Sequence, residues 1–243
     1  MVQKTVDILD YLSDHPHGAA LSTIAKDLGF PKTTVHDILR TLKLNDFVQY
    51  VKPEKKKYCI GAQVYAIGFT YLESSILFQS AKPYLILLAD KYEKTCFLAK
   101  RHHDRVICVY KYASPHAKAP TGNIGDQKRL HSTAIGKCYL AFDSEAAPLI
   151  DTIDLPAFTP YTITDRKKLR AHIEELRTLG YSWEKRESHI KMACLADPRF
   201  TRGAMTGTIS MTGWYREDED IVTQGNEIAQ LAKLITVQMD QNG

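Results

Sequence analysis

Residues 130–142, LHSTAIGKCYLAF, place hydroxyl groups, an amine and a thiol close together in the chain. A Gly-Lys pair of this kind occurs in phosphate-binding loops of the pattern GxxxxGK[ST], whose backbone N–H groups bind phosphates. The pattern fails twice here, because His131 replaces the first glycine and Cys138 replaces the final serine or threonine. Ser132 has no base or oxyanion partner in the sequence, which favours a helix-capping role over that of a nucleophile. We therefore predict no catalytic residue.

A second set of reactive side chains flanks a predicted turn and could ligate zinc: Cys96, His102, His103 and Cys108. Structural zinc sites use tightly paired ligands, and this set has no such spacing. The five cysteines are odd in number, widely spread and without a CxxC motif, which is typical of a protein in a reducing cytosol. We predict no metal site and no cofactor.

Residues 29–47, GFPKTTVHDILRTLKLNDF, combine an apolar stripe with a polar face in one helical register. The stripe consists of apolar residues spaced i, i+3, i+4 and i+7: Val35, Ile38, Leu39 and Leu42. The opposite face and its border are polar: Thr33, His36, Asp37, Arg40 and Lys43. For a helix considered alone, a merely solvated face is the simpler interpretation.

The elements around this helix favour another role for its polar face. Two helical segments and a Gly-containing turn precede it, and two short β-like runs joined by KPEKK follow it. Residues 26–60 contain eight Lys or Arg and only four acids, although the net charge of the whole chain is +4. This order predicts a winged helix-turn-helix whose third helix and basic hairpin bind duplex DNA. The candidate DNA-binding residues are Lys32, Thr33, Thr34, His36, Asp37, Arg40, Lys55, Lys56 and Lys57.

The rest of the chain predicts a linker and a second domain. Residues 62–78 are apolar nearly all round, with Glu73 as their only charge, which predicts a linker helix that also forms a dimer contact. Residues 79–243 alternate between helical and strand-like patterns and predict a mixed sheet with flanking helices. The predicted fold class is α+β, with a DNA-binding domain at 1–61, a linker at 62–78 and an α/β domain at 79–243.

No apolar run approaches the length of a membrane span, and the first residues lack the core of a signal peptide. We expect a cytoplasmic protein without membrane association.

Four segments in order resemble the IclR family of bacterial transcription regulators: LSTIAKDLGFPKTTVHDILRTL, LHSTAIGKCYLAF, LRTLGYSWEKRE followed by CLA, and ISMTG. The resemblance covers essentially the whole chain. It implies a C-terminal effector-binding domain of GAF-like fold, and a homodimer or a dimer of dimers.

The resemblance also implies an effector pocket, whose candidate residues are Ala134, Ile135, Gly136, Glu184, Cys194, Ser210 and Thr212. An anion at the start of the helix that contains Ala134 would meet free N–H groups and the positive end of a helix dipole. We expect Glu184 to repel a second carboxylate. A hydroxy or sugar acid is therefore the first choice of effector, and an aromatic acid the second.

Two features depart from the family pattern. Asp37 stands where the third helix usually carries a basic residue, and we expect it to pair locally with Arg40 or Thr41. Asp197-Pro198 interrupts the run that follows Cys194.

The sequence therefore predicts a ligand-responsive transcription regulator that binds a double-stranded DNA operator and a small organic acid, and that is not an enzyme. Two alternatives stay open. One is an enzyme that binds metabolites through its C-terminal domain, and the other is a redox-responsive regulator that acts through Cys194.

Overall fold

The structure is a computed structural model that describes residues 1–218 and 220–230. Residues 219 and 231–243, which belong to the predicted effector-binding domain, lie outside the described part. The chain divides into two compact units, residues 1–74 and 75–243. The division at 61 and 78 stays a prediction.

The N-terminal unit is a winged helix-turn-helix, as predicted. Its elements are α1 (Val2–Ser13), β1 (Ala19–Ala20), α2 (Leu21–Asp27), α3 (Lys32–Leu44), β2 (Val48–Tyr50), β3 (Lys57–Ile60) and α4 (Ala62–Glu73). A 3₁₀ turn, Pro53–Lys55, joins β2 to β3, and the small antiparallel sheet has the order β1-β3-β2.

The apolar stripe of α3 holds this unit together. Val35 and Leu39 are fully buried, and Ile38 and Leu42 are nearly so. They pack in one cluster with Ile8 and Leu12 of α1 and with residues of α2 and the sheet. Because burial of this stripe removes the apolar side chains from water, it fixes which face of α3 stays outside.

The predicted linker helix is shorter than expected. Helix α4 ends at Glu73, and Ser75 caps a new helix by accepting a hydrogen bond from Phe78 N at 3.3 Å. Three polar residues, Glu73, Ser74 and Ser75, separate the apolar residues of the two helices. Serine is favoured at helix starts because its hydroxyl accepts hydrogen bonds from the first free N–H groups. None of the residues of α4 is buried within the described part of the chain.

The C-terminal unit contains α5 (Ile76–Tyr92), β4 (Thr95–His102), β5 (Arg105–Ala113), β6 (Gln127–Arg129), α6 (Ala134–Phe142), α7 (Arg166–Leu179), β7 (Ser182–Lys185), β8 (Met192–Thr201) and β9 (Ala204–Trp214). Residues 221–230 are also helical. The six strands form one sheet of order β6-β5-β4-β9-β8-β7. All its pairings are antiparallel, so the predicted mixed sheet is wrong in this respect.

Asp197-Pro198 does not interrupt the strand that contains Cys194. Strand β8 continues through both residues to Thr201, and Pro198 pairs with Thr208 of β9. A proline removes a backbone donor, and a strand tolerates it where no neighbour needs that donor. The pairing with β7 covers only residues 193–196 of β8, so Pro198 lies beyond the end of β7.

Helix α6 packs against the sheet and its start is fixed by close contacts. Ser182 donates hydrogen bonds to Ala134 O at 2.6 Å and to Ala196 O at 3.3 Å, which connects the helix to β8. The helix contributes several side chains to the main core, among them Ile135 and Leu140. No helix in the described ranges is long and apolar enough to cross a membrane.

Candidate functional site

The outer face of α3 presents the predicted DNA-binding residues. Lys32, Thr33, His36, Asp37 and Arg40 are exposed. Thr34 is half-buried. These positions follow directly from burial of the apolar stripe, because a helix that buries one stripe must expose the opposite one.

Asp37 forms its local pair with His36 and not with Arg40. The Nδ1 atom of His36 lies 3.2 Å from Oδ1 of Asp37, and both side chains are well exposed. The Thr41 hydroxyl donates to the backbone carbonyl of Asp37 at 3.0 Å, as i to i+4 geometry allows. Arg40 forms no hydrogen bond or ion pair within the described residues, so its guanidinium can bind an external acceptor.

The lysines of the wing are exposed as well. Lys55, Lys56 and Lys57 occupy the connection between β2 and β3 and the start of β3. Lys56 has a φ of 44°, in the left-handed region, which lets the chain reverse in a tight turn.

A groove of about 420 Å³ lies between α3 and the wing. Its walls include His36 and Arg40 from α3 and Gln49 from β2. The Lys43 amine lies 4.5 Å from the centre of the Tyr50 ring, so cation–π attraction joins helix and wing. The groove thus places a guanidinium, an imidazole and an amide on one continuous surface.

The register of the large sheet brings the effector-site candidates together. Glu184 of β7 pairs with Cys194 of β8, Cys194 pairs with Thr212 of β9, and Thr212 pairs with Thr95 of β4. Directly paired residues point to the same face of a sheet, and so do residues two positions apart. Ser210 therefore shares this face with Thr212.

A cavity of about 550 Å³ lies over this face. Five of the seven predicted effector residues line it: Ala134, Ile135, Cys194, Ser210 and Thr212. Apolar side chains supply much of the remaining wall, among them Phe97, Phe158 and Met192. The volume is in the range of about 300–1,000 Å³ that is typical of small-molecule sites.

The N-terminus of α6 forms one end of the cavity. Thr133 caps the helix: its hydroxyl accepts from Gly136 N at 3.1 Å and donates to Arg129 O at 2.8 Å. The first N–H groups of a helix have no partner inside it. Since the cap takes the N–H of Gly136, the N–H groups of Ala134 and Ile135 remain for an anion.

Gly136 has a packing role and is not among the cavity-lining residues. A Cβ atom at this position would lie 2.4 Å from Arg129 O and 2.4 Å from Leu130 Cα. Only glycine lets the helix start come this close to the segment that follows β6.

Glu184 is fully buried and does not line the cavity either. Its carboxylate accepts hydrogen bonds from Glu187 N at 2.8 Å and from the Ser188 hydroxyl at 2.7 Å. Burial raises the pKa of this carboxyl, while the bonds from Ser188 and Glu187 oppose the rise. Ser188 lines the cavity in its place, so the basis for expecting Glu184 to repel a second carboxylate is absent.

A buried ion pair lies next to Glu184. Lys137 of α6 donates to the Glu187 carboxylate, and both side chains are almost completely excluded from water. The other carboxylate oxygen of Glu187 accepts from Ile163 N at 3.2 Å. Desolvation lowers the pKa of Lys137, and the attraction of Glu187 partly offsets this effect. The pair therefore connects α6 to two loops of the C-terminal unit.

The surroundings of Cys194 favour its thiol over its thiolate. Burial raises its pKa well above the ordinary value, and the neighbouring Glu184 carboxylate raises it further. The Thr212 hydroxyl donates to Cys194 Sγ at 3.2 Å. Oxidants react with thiolates, so these surroundings disfavour the redox-responsive alternative.

The four residues considered for zinc do not come together. Cys96 pairs with Tyr112 and Cys108 pairs with Ala99, so the two thiols lie on opposite faces of the sheet. Burial raises the pKa of Cys96 to about 12 and that of Cys108 to about 11. Among residues 1–218 and 220–230, no group of three His, Cys, Asp or Glu could hold a metal ion.

Sequence reasoning missed several cavity residues, most notably three cations: Arg105, Lys128 and Arg129. Strand β6 has three residues, which is too short for a period-two pattern to be recognised. Phe158 lies in an irregular segment, where sequence periodicity carries no information about direction. The sequence feature that could have indicated these cations is the pair of adjacent basic residues in the segment DQKR, residues 126–129.

Comparison with known proteins agrees with this architecture. A family model described as bacterial transcriptional regulator IclR C-terminal matches residues 69–235, and one described as IclR helix-turn-helix domain matches residues 1–52. The glycerol operon regulatory protein of Streptomyces coelicolor is 30% identical over 213 residues, which cover 87% of this chain and 84% of that protein.

Two solved structures are similar along their whole length. An IclR transcriptional regulator from Alicyclobacillus acidocaldarius has a TM-score of 0.84 and 25% identity, covering 99% of this chain and 97% of that one. An IclR homologue from Microbacterium hydrocarbonoxydans, solved in complex with 4-hydroxybenzoate, has a TM-score of 0.77 and 17% identity, covering 99% and 98%.

These families and relatives are transcription regulators, which confirms the prediction of a DNA-binding regulator rather than an enzyme. Since family models match both the winged helix and the larger C-terminal unit, in the expected order, the chain belongs to the IclR family of bacterial transcription regulators.

Proposed function

We propose that this protein is a sequence-specific regulator of transcription whose binding to an operator responds to a small organic acid. The observation that carries the proposal is the cavity of about 550 Å³, where free N–H groups of α6 and strand hydroxyls border an apolar wall. The protein acts in the cytoplasm, where bacterial DNA lies.

Recognition of DNA uses two surfaces with different tasks. Arg40 and His36 on the exposed face of α3 reach base edges in the major groove, where an arginine can bind guanine with two hydrogen bonds. The short Thr33 and Thr34 let the helix approach phosphates, and Lys55 to Lys57 on the wing bind the sugar–phosphate backbone. Base contacts give specificity, and phosphate contacts give affinity.

Substitutions on the two surfaces should therefore have different effects. Arg40→Ala is expected to lower the ratio of operator to random-duplex affinity by about tenfold to a hundredfold, because a base contact is lost. Lys55→Ala and Lys56→Gly should weaken binding to the operator and to the random duplex equally. Each should also reduce the slope of log affinity against log salt concentration by about one. Glycine suits position 56 because its φ is positive. Fluorescence anisotropy with a duplex selected from random sequence measures both quantities.

The exposed Lys167 of α7 gives a matched control, since Lys167→Ala removes the same charge from a residue of the other unit. An unchanged specificity ratio in Arg40→Ala would refute the recognition face. The same titrations with a panel of organic acids test the response: operator affinity that no acid alters contradicts the effector part of the proposal.

The effector is a hydroxy or sugar acid, or an aromatic acid. Its carboxylate accepts from the N–H groups of Ala134 and Ile135, and its body lies against Phe97 and Phe158. Hydroxyl groups at the other side meet Ser210 and Thr212, which can both donate and accept. The 4-hydroxybenzoate in the related Microbacterium structure supports the aromatic choice.

We also propose a homodimer joined through α4. This helix exposes large apolar residues, with Tyr65 75% exposed, Ile67 51% and Tyr71 48%. Two wings related by a twofold axis would require a palindromic operator. Light scattering at micromolar concentration should give twice the chain mass, and Ile67→Glu should shift it towards the monomer. Gln63→Glu adds a charge at a polar position of α4 and should leave the protein dimeric. A monomeric mass for the wild-type protein would contradict the proposal.

A further inference from the structure

The cavity wall carries a strong excess of positive charge. Arg105, Lys128 and Arg129 line it, whereas no Asp or Glu is among the lining residues of the described chain. Lys128 is partly neutralised, because its amine lies 2.9 Å from the Asp126 carboxylate. The proposed carboxylate anchor at α6 uses backbone N–H groups and none of these side chains. The cations are therefore available for another group.

The two arginines occupy one cross-strand pair. Arg105 of β5 is directly opposite Arg129 of β6, and β6 is one of the two edge strands of the sheet. Directly opposed like charges destabilise a sheet unless a counter-charge lies between them. The carboxylate of Asp104 is 3.5 Å from Arg105 Nε, and the Arg129 side chain has no acceptor within the described residues. The pair is thus incompletely neutralised.

The position of the pair at the edge explains how it reaches the cavity. Val106 is opposite Lys128, so Lys128 and the arginines point to opposite faces of the sheet. All three nevertheless line the cavity, so the cavity extends to β6 at the edge of the sheet. The α6 N-terminus and this basic edge border the same volume.

We propose that the effector carries two anionic groups, one bound at the start of α6 and the second bound between Arg105 and Arg129. This inference rests on the proposed effector site and specifies its ligand class as small diacids. A guanidinium binds a carboxylate with two parallel hydrogen bonds, so a pair of arginines suits this group in particular. The buried Glu184 does not oppose it, because its carboxylate is bonded to Glu187 N and Ser188.

Calorimetric titration of the full chain with matched acids tests the inference. Hexanoate is compared with adipate, and benzoate with terephthalate, so that each pair differs by one carboxylate. At least one diacid should bind about tenfold or more tightly than its monoacid, as expected for charge-assisted hydrogen bonds. Arg129→Gln and Arg105→Gln should each remove about tenfold from diacid affinity and change monoacid affinity by less than about twofold.

Lys167→Gln on the exposed face of α7 is the control, because it removes a positive charge outside the cavity. Melting curves without ligand confirm that each variant is folded. Equal affinity for both members of each pair, or diacid preference that survives both arginine substitutions, would overturn the inference and leave the acid site intact. Binding of none of the four acids would contradict the diacid site and the proposed acid site together.

Discussion

Replacing Lys137 with methionine is expected to lower the free energy of unfolding of the C-terminal unit by about 3–5 kcal/mol. The substitution leaves the Glu187 carboxylate buried without its cation, and Glu184 close to it loses the same cation. A buried charge without a partner costs far more than the pair itself contributes. Both tryptophans, Trp183 and Trp214, lie in this unit, so tryptophan fluorescence during urea unfolding of the full chain reports its stability.

A second substitution separates loss of charge balance from loss of packing. Lys137→Met combined with Glu187→Met replaces the whole pair by apolar side chains and should recover much of the lost stability. The single variant should also be less destabilised at acidic pH. Burial already raises the pKa of Glu184 and Lys137 opposes that rise, so without the lysine the folded state gains more from protonation as the pH falls. A double variant no more stable than the single one would contradict this account.

Loss of the two strand hydroxyls should strongly weaken the response to effector. Ser210→Ala and Thr212→Val are each expected to lower effector affinity by about tenfold to a hundredfold, or about 1–3 kcal/mol, because each removes a hydrogen-bonding partner in a desolvated cavity. Ser210 is only 4% exposed, and its hydroxyl has no partner within the described residues. Operator binding without effector should not change, because α3 belongs to the other unit.

The Thr212 hydroxyl also donates to Cys194, and this contact offers a purely structural explanation. In that case the substitutions would lower the melting temperature and leave effector affinity unchanged. Thr206→Val provides the comparison, since Thr206 is on the same strand, bonds Arg199 O at 3.4 Å and does not line the cavity. Titration of the acid that shifts operator binding most, against all three variants, distinguishes the explanations.

The features that sequence predicted well are those decided by local periodicity. The stripe of Val35, Ile38, Leu39 and Leu42 predicted both the buried and the exposed face of α3, because a helix repeats every 3.6 residues wherever it is packed. The break between α4 and α5 was missed, because apolar residues flank Glu73, Ser74 and Ser75 on both sides and resemble one continuous helix.

The effector cavity was harder to predict, because contacts between residues far apart in the sequence form it. Ser210 and Thr212 could be placed on one face from strand geometry alone. Hydrogen bonds from Ser188 and from Glu187 N, in the loop after β7, orient the carboxylate of Glu184. No periodic sequence pattern predicts such loop contacts. The basic edge requires β5 and β6 to pair in one register across more than twenty residues of sequence.

The capped start of α6 has a consequence for how such regulators diverge. The acid anchor that we propose consists of the N–H groups of Ala134 and Ile135, and every amino acid except proline supplies such a group. Point mutations can exchange Phe97, Arg129 or Ser210 one codon at a time while this anchor persists. After gene duplication, a copy can therefore acquire a new effector by changing the walls of the cavity and still respond to the carboxylate that all its candidate ligands share.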